Sequence, residues 1–414
     1  MGQEEVINNI LAGDNVLTVM PTGSGKSLCF QIPALVLNGL TLVVSPLVAL
    51  MEDQVAALKL DGISADTINS SRTRETNVDT WAGVTAGDVR LLYISPELLM
   101  TDRMLTALLR LKVVQIAIDE AHCISSWGPS FRPDYEDLTR LGGLFPGVPL
   151  VALTATADEA TRLDISEKLF KGRGQTVVTG FDRPNIRLAV EMRRDWRQQL
   201  LEFVQARPGV SGIVYCLSRK KTETTAMLLR ENGIRAFPYH AGLDSAQRAA
   251  SQDIFMNDEG VVMVATIAFG MGVDKPDVRY VFHASLPGNM EAYYQELGRA
   301  GRDGEPADAF MLYGLDDIRQ RRVFIEEADG GDDYKRREHK RLDALISYCE
   351  APQCRRGVLL SYFGDTSGPC DNCDICLDPP MLEDGTSLAK VALSVIVQTG
   401  QRFGAAHVID VLLG

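Results

Sequence analysis

Four groups of residues in this 414-residue sequence have the types and spacing that chemistry needs. The first is MPTGSGKS, Met20 to Ser27, between an apolar run, Val16-Leu17-Thr18-Val19, and a helix start, Leu28-Cys29-Phe30-Gln31-Ile32. Strand, glycine loop and helix is the setting in which a G-x-x-x-x-G-K-[ST] pattern binds phosphate. Thr22, Gly23, Ser24, Gly25, Lys26 and Ser27 fit it, with Met20 or Pro21 where the strict pattern has its first glycine. Glycines let the backbone curl its N–H groups toward phosphate oxygens, and the helix N-terminus adds a favourable dipole. Lys26 would then reach the outer phosphates and the Ser27 hydroxyl would hold Mg²⁺. A glycine turn with a solvated lysine is the plainer alternative, and the loop alone leaves both open. The second group is Asp119-Glu120-Ala121-His122, directly after the apolar Val113–Ile118. Asp119 can hold Mg²⁺ through water while Glu120 polarises an attacking water. Acids at a helix start also serve the helix dipole, but an acidic pair beside a phosphate loop favours catalysis.

The third group is Arg299 and Arg302, three residues apart and so on one face if the segment is helical. A guanidinium placed across a cleft can neutralise charge on a transferring phosphoryl group, an effect worth ~10³–10⁵ in rate. By themselves, two arginines among glycines would make a solvated turn. The fourth is Cys354-x15-Cys370-x2-Cys373-x2-Cys376. Four thiolates at these spacings suit tetrahedral Zn²⁺. An iron–sulfur cluster is the second reading.

These groups need a scaffold. From residue 15 to about 180, short apolar runs alternate with helical patterns, which predicts an α/β fold with a parallel sheet. The expected strands are Val16–Met20, Thr41–Ser45, Arg90–Ser95, Val113–Ile118 and Leu150–Thr154. Ligand chemistry in such a sheet collects at the carboxyl ends of the strands. Phe181-Asp182-Arg183-Pro184-Asn185 reads as a linker, after which the pattern restarts. The second set of expected strands is Gly212–Cys216, Ala236–Tyr239, Val261–Ala265, Tyr280–His283 and Ala309–Tyr313. No second phosphate loop accompanies it. The basic run 333–341, DYKRREHKR, reads as a solvated helix face. After Pro379-Pro380 the chain changes character, with a helix expected over Ala389–Thr399.

The net charge of −13 excludes a surface coated in positive charge, though a local basic surface suffices for nucleic acid. An apolar content of 45% with 23% charged residues is that of a chain with real cores. There is neither a signal-peptide pattern nor an apolar run of membrane-spanning length. Of eight cysteines, Cys29, Cys123, Cys216 and Cys349 are expected as core thiols, so the set suggests a reducing compartment.

MPTGSGKS, SPLVALMEDQV (45–55), YISPELL (93–99), the DEAH tetrad and ALTATA (152–157) resemble, in order, the motifs of superfamily 2 helicases. CISSWGPSFRPDY (123–135) narrows the resemblance to the RecQ family, as do IVYCLSRKK (213–221), YHAGL (239–243), VATIAFGMGVDKPDVRYVFHASLP (264–287), YQELGRAGRDG (294–304) and the cysteine cluster. The resemblance spans nearly the whole chain. It implies two RecA-like domains, 1–180 and 181–328, a helical zinc-binding subdomain, 329–380, and the start of a truncated winged helix, 381–414. It implies an ATP-dependent 3′-to-5′ DNA helicase acting in repair and recombination, with ATP, Mg²⁺ and Zn²⁺ as cofactors. Single-stranded DNA and junction or tailed duplexes are the implied partners, with no membrane. The implied location is cytoplasmic, nucleoid-associated if bacterial and nuclear if eukaryotic. Gln3 matches the family's adenine-reading glutamine, and the aromatic and arginine residues that precede it would lie before Met1. His122 joins Lys26, Asp119, Glu120, Arg299 and Arg302 in the implied catalytic set. Arg302 is implied as the arginine finger and Arg299 as a γ-phosphate or inter-domain contact. Trp127, Phe131 and Arg132 are implied to couple DNA to the ATP site, with Tyr135 spaced four residues beyond Phe131. Where the family's loop carries His-Asp, this chain has Pro129-Ser130, which removes an N–H donor. A DEAD/DEAH-type RNA helicase and a non-catalytic DNA-binding scaffold are the rival readings.

Overall fold

Apolar runs buried on both faces build two all-parallel sheets, as strands covered by helices on either side must be. The computed structural model describes residues 2–125, 132–267, 269 and 275–413. It forms two units, Met1–Leu377 and Asp378–Gly414.

The first sheet contains β1 (Val16–Val19), β2 (Leu40–Val44), β3 (Ala65–Ile68), β4 (Leu91–Ile94), β5 (Val113–Ile118), β6 (Leu150–Thr154) and β7 (Gln175–Val178). Their order is β3-β4-β2-β5-β6-β1-β7. Central β2 is buried at every residue. Its Leu42 and Val44 pack into the core on one face while Val43 packs into the core on the other. Each such side chain contributes ~1.5–3 kcal/mol by leaving water. The order puts β6 between β1 and β5, so the phosphate loop and the acidic pair rise from strands separated by one, not from neighbours.

The second sheet contains β8 (Ile186–Met192), β9 (Gly212–Tyr215), β10 (Ala236–Tyr239), β11 (Val262–Ala265), β12 (Tyr280–His283) and β13 (Ala307–Tyr313), in the order β10-β11-β9-β12-β13-β8. The ten expected strands are present with ends moved by at most two residues, and β3, β7 and β8 are additional.

Phe181–Asn185, expected as a linker, is packed rather than loose. Phe181 is 2% exposed and stacks on Phe363 at 4.6 Å. Asp182 pairs with Arg356 at 2.6 Å. The helices Asp332–Glu350 and Arg355–Tyr362 lead into the cysteine cluster, which is sewn to the edge of the second sheet. Leu188 N donates to Asn372 O, and Val190 N donates to Asp374 Oδ2. The basic run lies on the first of these helices and is largely paired within the protein: Lys335 and His339 with Glu326, Arg341 with Glu338 and Glu291. The second unit holds the helices Thr386–Gln398 and Ala405–Leu413. Among the described residues, no helix is long and apolar enough to cross a membrane.

Candidate active site and metal centre

The carboxyl edge of the first sheet faces the second sheet across a cavity of about 670 Å³. The loop after β1 supplies Thr22, Gly23, Gly25, Lys26 and Ser27 to its wall, and the end of β5 supplies Asp119 and Glu120. Gln295, Arg299 and Arg302 come from the second sheet's side.

Gly23 and Gly25 both have φ near +77°, a backbone state that side-chain-bearing residues avoid and a curled loop requires. Lys26 Nζ donates to Met20 O and Pro21 O, each at 3.0 Å. Gln3 Nε2 donates to Ser24 O at 2.7 Å, which fixes Gln3 against the loop. Burial lowers the Lys26 pKa, opposed by the charges of Glu120 and Asp119.

Glu120 has φ 50° and ψ 43°, left-handed values that cost a non-glycine residue ~1–3 kcal/mol and gather at functional sites. Burial pushes the Asp119 carboxyl up to about 7, with Glu120 adding repulsion and Lys26 opposing. Burial also raises Glu120, held back by Lys26, Arg299 and Arg132. His122 is buried and its pKa is lowered to about 4, so the ring is neutral near pH 7. Its Nδ1 lies 3.3 Å from Glu120 Oε2 and 3.0 Å from Thr154 Oγ1. Thr156 N donates to Thr154 Oγ1, and Gln295 Nε2 of the second sheet's side donates to Thr156 Oγ1 at 3.0 Å. Hydrogen bonds therefore lead from His122, which lies beside the Glu120 carboxylate, through Thr154 and Thr156 to Gln295 across the cleft. Thr154, Thr156 and Gln295 lie in motifs that are visible in the sequence, but their spacing alone gives these three residues no role.

Arg299 and Arg302 do not share a helical face. The helix Met290–Leu297 ends before them, and they project from the turn that follows. Gly298 lets that turn touch the phosphate loop: a Cβ there would overlap Thr22 Oγ1, which instead donates to Gly298 O at 3.1 Å. Arg302 packs against Gly23, its Cγ 3.2 Å from where a Cβ would stand. Arg299 is 7% exposed, and its Nε has no hydrogen-bond partner among the described residues.

Arg132 turns inward, donating to Pro46 O at 3.3 Å and acting on Glu120 by its charge. Tyr135 is fully buried and donates to Asp119 O at 3.0 Å, so it belongs to the core and not to an exposed aromatic loop. Trp127, Pro129, Ser130 and Phe131 lie outside the described residues.

The four cysteine sulfurs lie within 4.8 Å of one another, with Cys354 Sγ and Cys373 Sγ 4.0 Å apart. Ligands about 2.3 Å from one tetrahedral ion stand roughly 3.8 Å apart, so the set fits a single metal. Thiolates bound to separate irons of a cluster would be spread more widely. Cys349 lies outside the group, and burial pushes its thiol up to about 12. Cys29, Cys123 and Cys216 are likewise buried and free.

Comparison with known proteins agrees with this arrangement. The DEAD/DEAH box helicase family matches residues 1–164 and the helicase conserved C-terminal domain matches 176–304. The RecQ zinc-binding family matches 315–377 and the RQC domain 379–414. The ATP-dependent DNA helicase RecQ of Haemophilus influenzae is 49% identical over all of this chain and 67% of its own length. That of Bacillus subtilis is 40% identical over all of this chain and 70% of its own. The chain thus spans about two thirds of these relatives. The DNA-bound structure of the helicase MrfA superposes with a TM-score of 0.62 at 20% identity, covering 76% of this chain and 48% of that one, a likeness of fold. A cleft lined from both sheets, a four-thiolate metal site and these matches make the chain a member of the RecQ family of ATP-dependent DNA helicases.

Proposed function

We propose that this chain hydrolyses ATP in the cleft between its two sheets and uses the cycle to move 3′-to-5′ along single-stranded DNA, separating duplex ahead of it in repair and recombination. The supporting observation is the cavity itself, where a phosphate loop, an acidic pair and two arginines converge from both sheets. We assign residues 1–180 and 181–328 to the two motor domains, 329–380 to the zinc-binding subdomain and 381–414 to the opening of a winged helix. Gln3 reads the base, and Lys26 exchanges its two carbonyl partners for phosphate oxygens. Ser27 and Asp119 are oxygen donors suited to Mg²⁺, which neutralises phosphate charge when bound. Glu120 orients and deprotonates the attacking water, held in place by neutral His122. Arg302, against Gly23, neutralises charge on the transferring phosphoryl group, and Arg299 balances Glu120 from the opposite wall. Cys354, Cys370, Cys373 and Cys376 hold zinc. Arg132 links the segment after the tetrad to Glu120, so DNA seated beside that segment acts on the catalytic carboxylate; Trp127 and Phe131 are the bases' stacking partners in this reading. The test is unwinding of otherwise identical duplexes bearing a 3′ or a 5′ single-stranded tail. The 3′-tailed substrate should be opened with ATP and the 5′-tailed one left intact. Equal opening of both would overturn the polarity.

A further inference from the structure

Among the described residues, no carboxylate pairs with the half-buried Arg183. Its neighbour Asp182 turns away to Arg356. The Arg183 guanidinium instead donates to four backbone carbonyls: Nη1 to Thr22 O at 3.0 Å and Gly298 O at 3.1 Å, Nη2 to Ala300 O and Gly301 O at 2.9 Å. Thr22 belongs to the phosphate loop. The other three acceptors belong to the turn that carries Arg299 and Arg302. Asn185 also holds this turn, donating to Gly301 O at 2.8 Å and Glu305 O at 2.9 Å.

We propose that Arg183 is a positioning residue for ATP hydrolysis, whose guanidinium joins the phosphate loop to the 298–301 turn and so sets where Arg299 and Arg302 stand over the γ-phosphate. The proposal rests on the reading of the cleft as the ATP site. Withdrawing a cation from water, even in part, is costly unless hydrogen-bonding dipoles replace the water, and here the dipoles are those of the two segments that must meet for catalysis. A planar fork with five donors can span both segments, whereas a lysine offers three donors from one point. The base is fixed: Phe181 stacks on Phe363, and Arg356 donates to Asp182 Oδ1, Arg183 O and Ile186 O. Of the four bonds only that to Thr22 leaves the turn, so opening of the cleft breaks that bond and leaves the turn shaped.

The experiment compares Arg183→Ala, Arg183→Lys, Arg302→Ala and the Arg183→Ala/Arg302→Ala double variant. It reads kcat and KM for ATP at saturating single-stranded DNA, affinity for a fluorescent ATP analogue, and thermal unfolding. A misplacement of about 1 Å costs ~10²-fold in rate, so kcat of Arg183→Ala should fall by about that factor with analogue affinity unchanged. Arg183→Lys should be intermediate in kcat with the unfolding temperature of the parent. The double variant should be no slower than Arg302→Ala alone, because the two act as one unit. Multiplying losses in the double variant, or parental kcat in Arg183→Lys and Arg183→Ala, would overturn the proposal. If Arg183→Ala does not fold, Arg183→Lys decides by the same split: lower kcat at unchanged affinity supports it, and lost affinity sinks it. Normal turnover by Arg302→Ala would remove the reading of the cleft and this proposal with it. It is distinguishable, because failure of Arg183 alone leaves Arg302→Ala impaired.

Discussion

Lys26 and Glu120 share one cavity wall, yet they should fail differently when altered. In the proposed mechanism Lys26 touches phosphate directly, and a hydrogen bond to a charged group is worth ~1.5–3 kcal/mol. Lys26→Ala should therefore weaken ATP binding by about 10- to 100-fold. Glu120→Gln keeps the shape and removes a base, a change worth ~10²–10⁴ in rate. ATP should still bind to it and persist unhydrolysed, as equilibrium binding beside single-turnover hydrolysis would show. Equal loss of binding in both variants would contradict the division of labour. Both residues were legible in the sequence because their local spacing is their geometry: loop after strand, acids after strand. Arg299 and Arg302 were legible in kind but not in form, since a turn whose own carbonyls are held by a distant guanidinium has no local signature. Arg183 could not be read at all. Its partners are backbone oxygens as far as 161 positions away, and main-chain acceptors leave no trace in residue type.

At the scale of elements, hydrophobic runs found every strand buried on both faces and missed three that are not. β3 contains Asp66, β7 is an edge with only Val177 buried, and β8 alternates buried Ile186, Leu188 and Val190 with Arg187 and Glu191. The last of these is the strand that receives the metal centre, so the tie between the two was invisible too. The helix Met290–Leu297 lies between that region and the cleft. Its Glu291 accepts from Tyr362 Oη at 2.8 Å and faces Arg341, its Tyr293 meets Tyr348 at 3.3 Å, and its Gln295 reaches Thr156. Structural zinc supplies ~10–16 kcal/mol of folding free energy in small domains. Metal analysis should give one zinc per chain, retained in Cys349→Ser and lost in Cys373→Ser. Removal of the metal by a chelator should lower ATP turnover as well as stability, because it loosens the helix that leads to Arg299. Iron in the purified protein, zinc lost in Cys349→Ser, or full turnover without metal would each contradict this.

At the scale of the molecule, one sheet brings the phosphate loop and the acids, the other brings the arginines, and neither holds a complete site. Hydrolysis therefore requires the two to meet, and anything that seats across both can set the rate. The net charge of −13 means that such a partner must be held by a local surface, so turnover should respond to the kind of nucleic acid and not to polyanions in general. The most direct measurement is ATP turnover with no nucleic acid, with single-stranded DNA and with single-stranded RNA of the same length and sequence. Basal turnover should be slow, with strong stimulation by DNA and little by RNA, all abolished in Glu120→Gln. Equal stimulation by RNA, or turnover indifferent to both, would contradict a DNA-driven motor.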